Sequence, residues 1–149
     1  MKILFLGGTK FFGKLIAREL AYEGHSLDII SRLKDSGFSD LQIVGERNSI
    51  FVLETIKSRG HYDAVIDNIA YGPGDVETLF KYITTNHYIV TSSIASYYPE
   101  VSEYSRRKFE LEKYLWKSDI PWTIMRPGIV YGPPAIVTGK QYCWLRYSG

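Results

Sequence analysis

Apolar residues in this chain fall into two alternating patterns. Short, nearly continuous apolar runs occur at 2–6, 27–30, 41–44, 64–67, 88–91 and 122–125. Each has the length of one strand, and the absence of polar alternation predicts burial on both faces. Between the runs, apolar residues recur at helical spacing. The spacing predicts helices over 14–21, closed by Gly24, over 50–58, from Pro73-Gly74-Asp75 to about Thr84, and over 102–117. In the last of these Phe109, Leu111, Tyr114 and Leu115 form the apolar side. Six strands alternating with helices predict an α/β fold: a doubly wound parallel sheet, Rossmann-like, of about six strands with helices on both faces. The stretch 33–40 is polar, and after Pro127 the chain turns loop-like through Gly128, Gly132, Pro133 and Pro134. No internal repeat or low-complexity segment interrupts this order. At 149 residues the chain is one domain, 1–149.

The junction between the first strand and the first helix carries the strongest motif. Gly7-Gly8-Thr9-Lys10-Phe11-Phe12-Gly13 follows the strand directly. Strand, glycine turn and helix in this order open a dinucleotide-binding unit, in which N–H groups at the helix start face a pyrophosphate. Whether the template is written GxGxxG or GxxGxxG, Lys10 holds the middle glycine's place, and its charge suits a phosphate. Gly8 to Lys14 also satisfies most of a P-loop, but Leu15 stands where Ser or Thr must hold magnesium. The bland alternative is a turn that binds nothing.

In such a sheet, ligands bind at the carboxyl ends of the strands. Strand two ends in Ser31-Arg32, where an acidic residue would hold the ribose of NAD. A hydroxyl and a guanidinium suit the 2′-phosphate of NADP instead, or are a solvated surface pair. Strand three leads to Glu46 and Arg47, candidates for the adenine side or plain loop charges. Strand four leads to Asp67-Asn68-Ile69-Ala70-Tyr71, where Asn68 and Ala70 are candidates for the cofactor cleft and Asp67 for either the cleft or a structural cap. Strand five ends in Thr91-Ser92-Ser93. Beyond it come Tyr104 and Lys108, which share a helix face at i and i+4. An ammonium beside a phenol favours the phenolate, and such a tyrosine exchanges a proton with a substrate oxygen near neutral pH. A serine hydroxyl from the Ser92-Ser93 pair beside it can hold the same oxygen.

Composition narrows the setting only slightly. A net charge of +2 does not argue for nucleic acid or an anionic membrane. No apolar run approaches membrane-spanning length. Cys143 is the single cysteine, so no disulfide forms within the chain. No cluster with metal-ligand spacing is present. With Met1 directly before the first strand, the expectation is a soluble, cytoplasmic protein.

Together these motifs resemble the extended short-chain dehydrogenase/reductase superfamily, the NAD-dependent epimerase/dehydratase family. The matching stretches are Gly7 to Gly13, Thr91-Ser92-Ser93-Ile94-Ala95-Ser96-Tyr97, Tyr104 to Lys108, and Arg126-Pro127-Gly128-Ile129-Val130-Tyr131-Gly132-Pro133, which is similar to the family's RPxxVYGP segment. The resemblance implies an oxidoreductase in which Ser93, Tyr104 and Lys108 are catalytic. It implies Gly7, Gly13 and Ser31-Arg32 as cofactor positions, and Glu46 where the family has an adenine-binding Asp. A nucleotide-sugar or other small-molecule substrate and a homodimer built on the helices over 73–84 and 102–117 are further implications. Family members continue into a smaller substrate domain, so the expectation is a cofactor half with little turnover by itself. The gap between Ser93 and Tyr104 is short for the family. Atypical members with a basic residue at the Lys10 position include relatives of chloroplast stem-loop RNA-binding proteins. They imply the alternative, an RNA-binding or regulatory module without turnover, with Arg106-Arg107-Lys108 as its basic cluster.

Overall fold

The computed structural model describes residues 1–34, 37, 39–130, 136–137 and 140–141. Tyr131, Gly132 and Pro133 of the last motif, and Cys143, lie outside the described residues. Six parallel strands form one sheet: β1 (Lys2–Leu6), β2 (Ser26–Ser31), β3 (Leu41–Val44), β4 (Ala64–Asp67), β5 (Tyr88–Thr91) and β6 (Trp122–Met125). Their order across the sheet is β3-β2-β1-β4-β5-β6. The order reverses between β1 and β4, which opens a crevice at the strands' carboxyl ends.

Both faces are covered, so the strands read as continuous apolar runs rather than alternating ones. Along β1, Leu4 and Leu6 enter one core with residues of α2 (Ile50–Ser58), α3 (Pro73–Phe80) and α4 (Glu103–Leu115). Ile3 and Phe5 enter the other, beneath α1 (Phe11–Tyr22), whose Ala17 is fully buried there. Phe5 is 0% exposed, and Phe5→Ala would cost about 3–5 kcal/mol in lost transfer energy and cavity formation. Among the described residues, no helix is long and apolar enough to cross a membrane.

Four departures from the sequence pattern have physical reasons. Helix α1 begins at Phe11, so Gly13 lies inside it. Helix α3 stops at Phe80, and Thr84–Thr85 then pairs with His61–Tyr62 as a separate parallel ribbon. A short 3₁₀ turn, Ile94–Tyr97, follows β5 and packs on α4. The fourth is in α4, whose buried stripe is Ser105, Lys108, Leu111, Glu112 and Leu115. Phe109 sits on its flank against Trp116, with the rings 6.1 Å apart. Two charged residues thus occupy core-facing positions that amphipathicity assigns to solvent.

Candidate functional site

A cleft of about 390 Å³ opens at the point where the strand order reverses. Gly7, Thr9 and Lys10 form its floor after β1, and Ser31 and Arg32 its side after β2. Glu46, Arg47 and Asn48 follow β3, and Ile69 and Tyr71 follow β4. The glycine turn is sterically forced. Gly7 has φ +87°, and a Cβ there would lie 2.6 Å from Ile69 Cγ2. A Cβ on Gly13 would lie 2.5 Å from the Gly7 carbonyl oxygen, so the helix packs on the turn only because that atom is missing. Lys10 is the N-cap of α1 with ordinary extended angles, φ −138° and ψ 157°. The lysine therefore carries no backbone strain. The left-handed non-glycine residue is its neighbour Phe11, at φ 50°.

The first turn of α1 has neither an acidic residue nor a side-chain cap. Its N–H groups and the positive end of the helix dipole are joined there by Lys10, an arrangement that an anion would relieve. Across the cleft, Ser31 is nearly buried. Its hydroxyl donates to the Leu33 carbonyl and accepts from Gln42 Nε2 at 3.2 Å. Arg32 and Glu46 stand at the lip, about three-quarters exposed and 4.0 Å apart.

The wall behind the cleft is ionic and dry. Arg47 donates to both oxygens of Asp67 at 2.9 and 2.8 Å and to the Asp75 carbonyl at 3.0 Å. Asp67 is fully buried and also accepts the Tyr88 hydroxyl at 2.8 Å and the Ile69 N–H at 3.0 Å. Of the two sequence readings of Asp67, this is the structural one. Burial and the Asp67 charge push the Tyr88 phenol well above its ordinary range. Asp75 caps α3 by accepting from the Tyr71 and Gly72 N–H groups. Burial alone would raise its carboxyl, but these donors and Arg47 hold it below the usual range.

Beyond Tyr71 lies the second half of the site. Lys108 on α4 is 4% exposed, and its ammonium donates to the Ala70 carbonyl at 2.6 Å and the Thr91 carbonyl at 2.9 Å. It ties the end of β5 to the loop after β4. The ring of Tyr71 lies 5.2 Å from it and that of Tyr104 5.8 Å. The two rings meet edge to face at 6.3 Å. Burial lowers the Lys108 pKa to about 8, against the raising effect of Asp67 and Asp75. Ser93 caps the 3₁₀ turn, its oxygen accepting from the Ala95 N–H at 3.2 Å. That leaves the hydroxyl proton available to a ligand.

A third cluster was not found from the sequence. Ser92 donates to Glu112 Oε1 at 2.5 Å, and Arg126 grips both Glu112 oxygens at 3.0 and 2.8 Å. Burial opposes ionisation of Glu112, but Arg126 and Ser92 hold its carboxyl below the usual range. The Arg126 guanidinium also lies 5.1 Å from the Tyr97 ring centre. Arg126, a residue of the RPxxVYGP-like stretch, thus ties that stretch to α4 and the end of β5.

No family model matches the chain. Many solved structures share its architecture. A UDP-glucose 4-epimerase of Thermotoga maritima, solved with UDP-glucose, superposes with a TM-score of 0.72 at 20% identity, over 89% of this chain and 57% of its own. The Bordetella bronchiseptica enzyme WbmH in complex with NAD+ gives 0.71 at 19% identity, over 93% and 58%. An NAD-dependent epimerase/dehydratase, putatively so named, from Bacillus halodurans gives 0.67 at 20% identity, over 86% and 70%. The fold is that of the NAD-dependent epimerases and dehydratases. One curated relative, the chloroplast stem-loop binding protein of 41 kDa b from Arabidopsis thaliana, is 30% identical over 89% of this chain and 43% of its own length. The chain therefore spans less than half of that relative and a little over half of the first solved structure.

On this epimerase/dehydratase fold, Gly7, Thr9, Lys10, Ser31, Arg32, Glu46 and Arg47 line the cleft. The other sequence candidates do not line it. Gly8 packs toward Phe5, and Gly13 serves helix packing. Phe11 and Phe12 pair edge to face on α1. Asn68 accepts the Thr91 hydroxyl at 2.6 Å, and its Nδ2 is a buried donor without a partner. Ala70 is wholly buried and contributes its carbonyl to Lys108. The expected basic cluster 106–108 is divided: Arg106 and Arg107 are exposed, while Lys108 turns into the site. Tyr71 and Asp75 were missed as cleft residues because their role depends on a loop that periodicity does not describe.

Proposed function

We propose that the chain is the NADP(H)-preferring nucleotide-binding part of an epimerase/dehydratase-like oxidoreductase, with Tyr104 as its acid/base. The observation that carries this reading is one rim that joins two halves. A glycine-turn cleft with Lys10 and Arg32 at its edge runs up to Tyr71, beside the Lys108–Tyr104 pair. The Gly7 and Gly13 positions that only hydrogen fits, and the uncapped α1 N-terminus, suit a pyrophosphate. Lys10 and the α1 N–H groups would hold that pyrophosphate, and Arg32 a 2′-phosphate. Lys108 has two of its three N–H donors occupied and would give the third to a ribose hydroxyl. When bound, the nicotinamide supplies hydride transfer.

The proton chemistry belongs to the chain itself. A cation 5.8 Å from the Tyr104 ring favours its phenolate. Tyr104 then takes a proton from a substrate hydroxyl, or returns one to a carbonyl, and Ser93 donates a hydrogen bond to the same oxygen. A nucleotide-sugar is the substrate class that best fits, by analogy with the UDP-glucose named for the Thermotoga structure. The single cysteine suits a reducing, cytoplasmic compartment. Exposed Val101 and Trp116, flanking α4 at its two ends, support a homodimer across α3 and α4, and a monomer by light scattering at micromolar concentration would refute it.

The test is a fluorescence titration with both reduced cofactors. NADPH should bind about tenfold more tightly than NADH, roughly the value of one charge-assisted phosphate contact. Arg32→Asp should reverse the preference. Equal affinities would overturn the NADP assignment, and no binding of either would overturn the nucleotide reading. The stem-loop-binding relative favours a second reading, RNA binding by the same chain. A salt-sensitive gel shift with stem-loop RNA, lost in Arg106→Ala/Arg107→Ala, would support it over the first.

A further inference from the structure

Tyr71 belongs to both halves of the site. It lines the nucleotide cleft, and its ring also lies 5.2 Å from the Lys108 ammonium and edge to face with Tyr104. Lys108, Tyr104 and Ser93 do not line the cleft. Lys108 is 4% exposed, its ammonium donates to two backbone carbonyls, and the two rings lie beside it. Tyr71 as a residue is 55% exposed. Its main chain is fixed, because its N–H donates to Asp75 Oδ2 at 2.8 Å and the preceding carbonyl holds Lys108. The side chain can therefore swing into water by rotation about its own bonds while the loop stays in place.

We infer that Tyr71 is a removable partition: a ligand confined to the cleft binds without disturbing it, whereas a ligand that continues toward Tyr104 reaches Lys108 only after the ring turns aside. Tyr71 is then a specificity-determining residue, which weakens binding of a whole dinucleotide relative to its adenosine half. This rests on the nucleotide reading of the cleft. The ring gives up an ammonium contact and an aromatic contact when it moves, and a truncated side chain has neither to give up. A site whose binding-competent form is a minority gains affinity in proportion when that form becomes the resting one.

Two measurements on the whole chain test this, in the parent, Tyr71→Ala and Tyr71→Phe. The first titrates NADPH beside adenosine 2′,5′-bisphosphate. Tyr71→Ala should bind NADPH about tenfold more tightly, with bisphosphate affinity unchanged, and Tyr71→Phe, which keeps the ring, should match the parent. Unchanged or weaker NADPH binding by Tyr71→Ala, with the bisphosphate still bound, overturns the proposal. The second needs no nucleotide. Acetic anhydride labelling of Lys108, read by mass spectrometry against exposed Lys81, should be slow in the parent and in Tyr71→Phe, and several-fold faster in Tyr71→Ala. An unchanged Lys108 rate overturns the partition. If neither nucleotide binds any variant, the nucleotide reading fails, and the labelling result alone decides whether Tyr71 covers Lys108.

Discussion

The β2–β3 side of the carboxyl rim and its β4–β5 side treat charge in opposite ways. At β2 and β3, Arg32 and Glu46 stand in water and barely reach each other at 4.0 Å. Toward β4 and β5, Asp67, Lys108 and Glu112 are buried and tied to named partners, and Arg47 reaches across from the end of β3 to pair with Asp67. An exposed charge can choose among ligands by attraction and costs folding almost nothing to change. A buried charge is already oriented before any ligand arrives, and the fold depends on its partners. On the proposed function, the contrast separates a selecting half from a preorganised half.

The largest effect should come from breaking the buried half. Asp67→Ala leaves the Arg47 guanidinium and the Tyr88 hydroxyl buried without their acceptor. Removing one partner of such a pair typically costs about 3–5 kcal/mol. Urea unfolding should show that loss, and a loss under about 1 kcal/mol would show that the wall behind the cleft is not what holds β4 and β5 together.

Next comes the pH response of Lys108. Its native pKa of about 8 lies below the ordinary lysine value, so between the two the unfolded chain binds more protons. Stability contributed by this group must therefore rise with pH from about 8 towards 10, the reverse of a paired lysine. The full span would be about 3 kcal/mol. Lys108→Met should flatten the rise between pH 7.5 and about 9.5, below the range where tyrosines titrate. Parallel parent and variant curves would mean that Lys108 is better solvated than its burial indicates.

Much of this architecture was legible because burial on both faces writes itself as apolar runs. The segments 41–44, 64–67, 88–91 and 122–125 are strands β3 to β6 with those same bounds. The glycine turn was legible too, although Gly13 read as a turn residue and lies within α1. Its function is to lack a Cβ, and a sequence pattern does not distinguish that from a need to bend. The burial of Lys108 and Glu112 was hidden for a different reason. Hydrophobic periodicity counts Lys108 and Glu112 as solvent-facing, and their partners are remote: Thr91 and Ala70 for one, Arg126 and Ser92 for the other. Only the sheet order brings those strand ends together. Tyr104 and Lys108 were found because their spacing is local, whereas Tyr71, which touches both, comes from another loop.

Tyr104 lies in the second half beside Lys108, 37% exposed, and should give a smaller effect. Tyr104→Phe keeps the ring against Tyr71 and Lys108 and removes only the hydroxyl. NADPH affinity should stay within about twofold and stability within about 1 kcal/mol. Lys108→Ala, by contrast, should weaken NADPH binding, since in the proposed function the lysine gives its third N–H to a ribose hydroxyl. Equal losses in both variants would make the phenol a binding group rather than a proton carrier.

The smallest effect on stability should come from the selecting half, and its smallness is the point. In Arg32→Asp a carboxylate replaces the guanidinium at a position about three-quarters exposed. The lost pairing with Glu46 is a single solvent-screened contact at 4.0 Å, of a kind worth about 0–1 kcal/mol. Two carboxylates now face each other at the lip, but screening at physiological salt acts over about 8 Å and in high dielectric. Thermal unfolding without ligand should therefore shift by about 0.5 kcal/mol or less. With saturating NADPH the same variant should lose most of the ligand-induced stabilisation that the parent shows, because that term follows the ratio of ligand concentration to dissociation constant. A large loss without ligand would place Arg32 among the structural charges and erase the distinction between the two halves. Equal NADPH protection of parent and variant would show instead that Arg32 does not select the ligand.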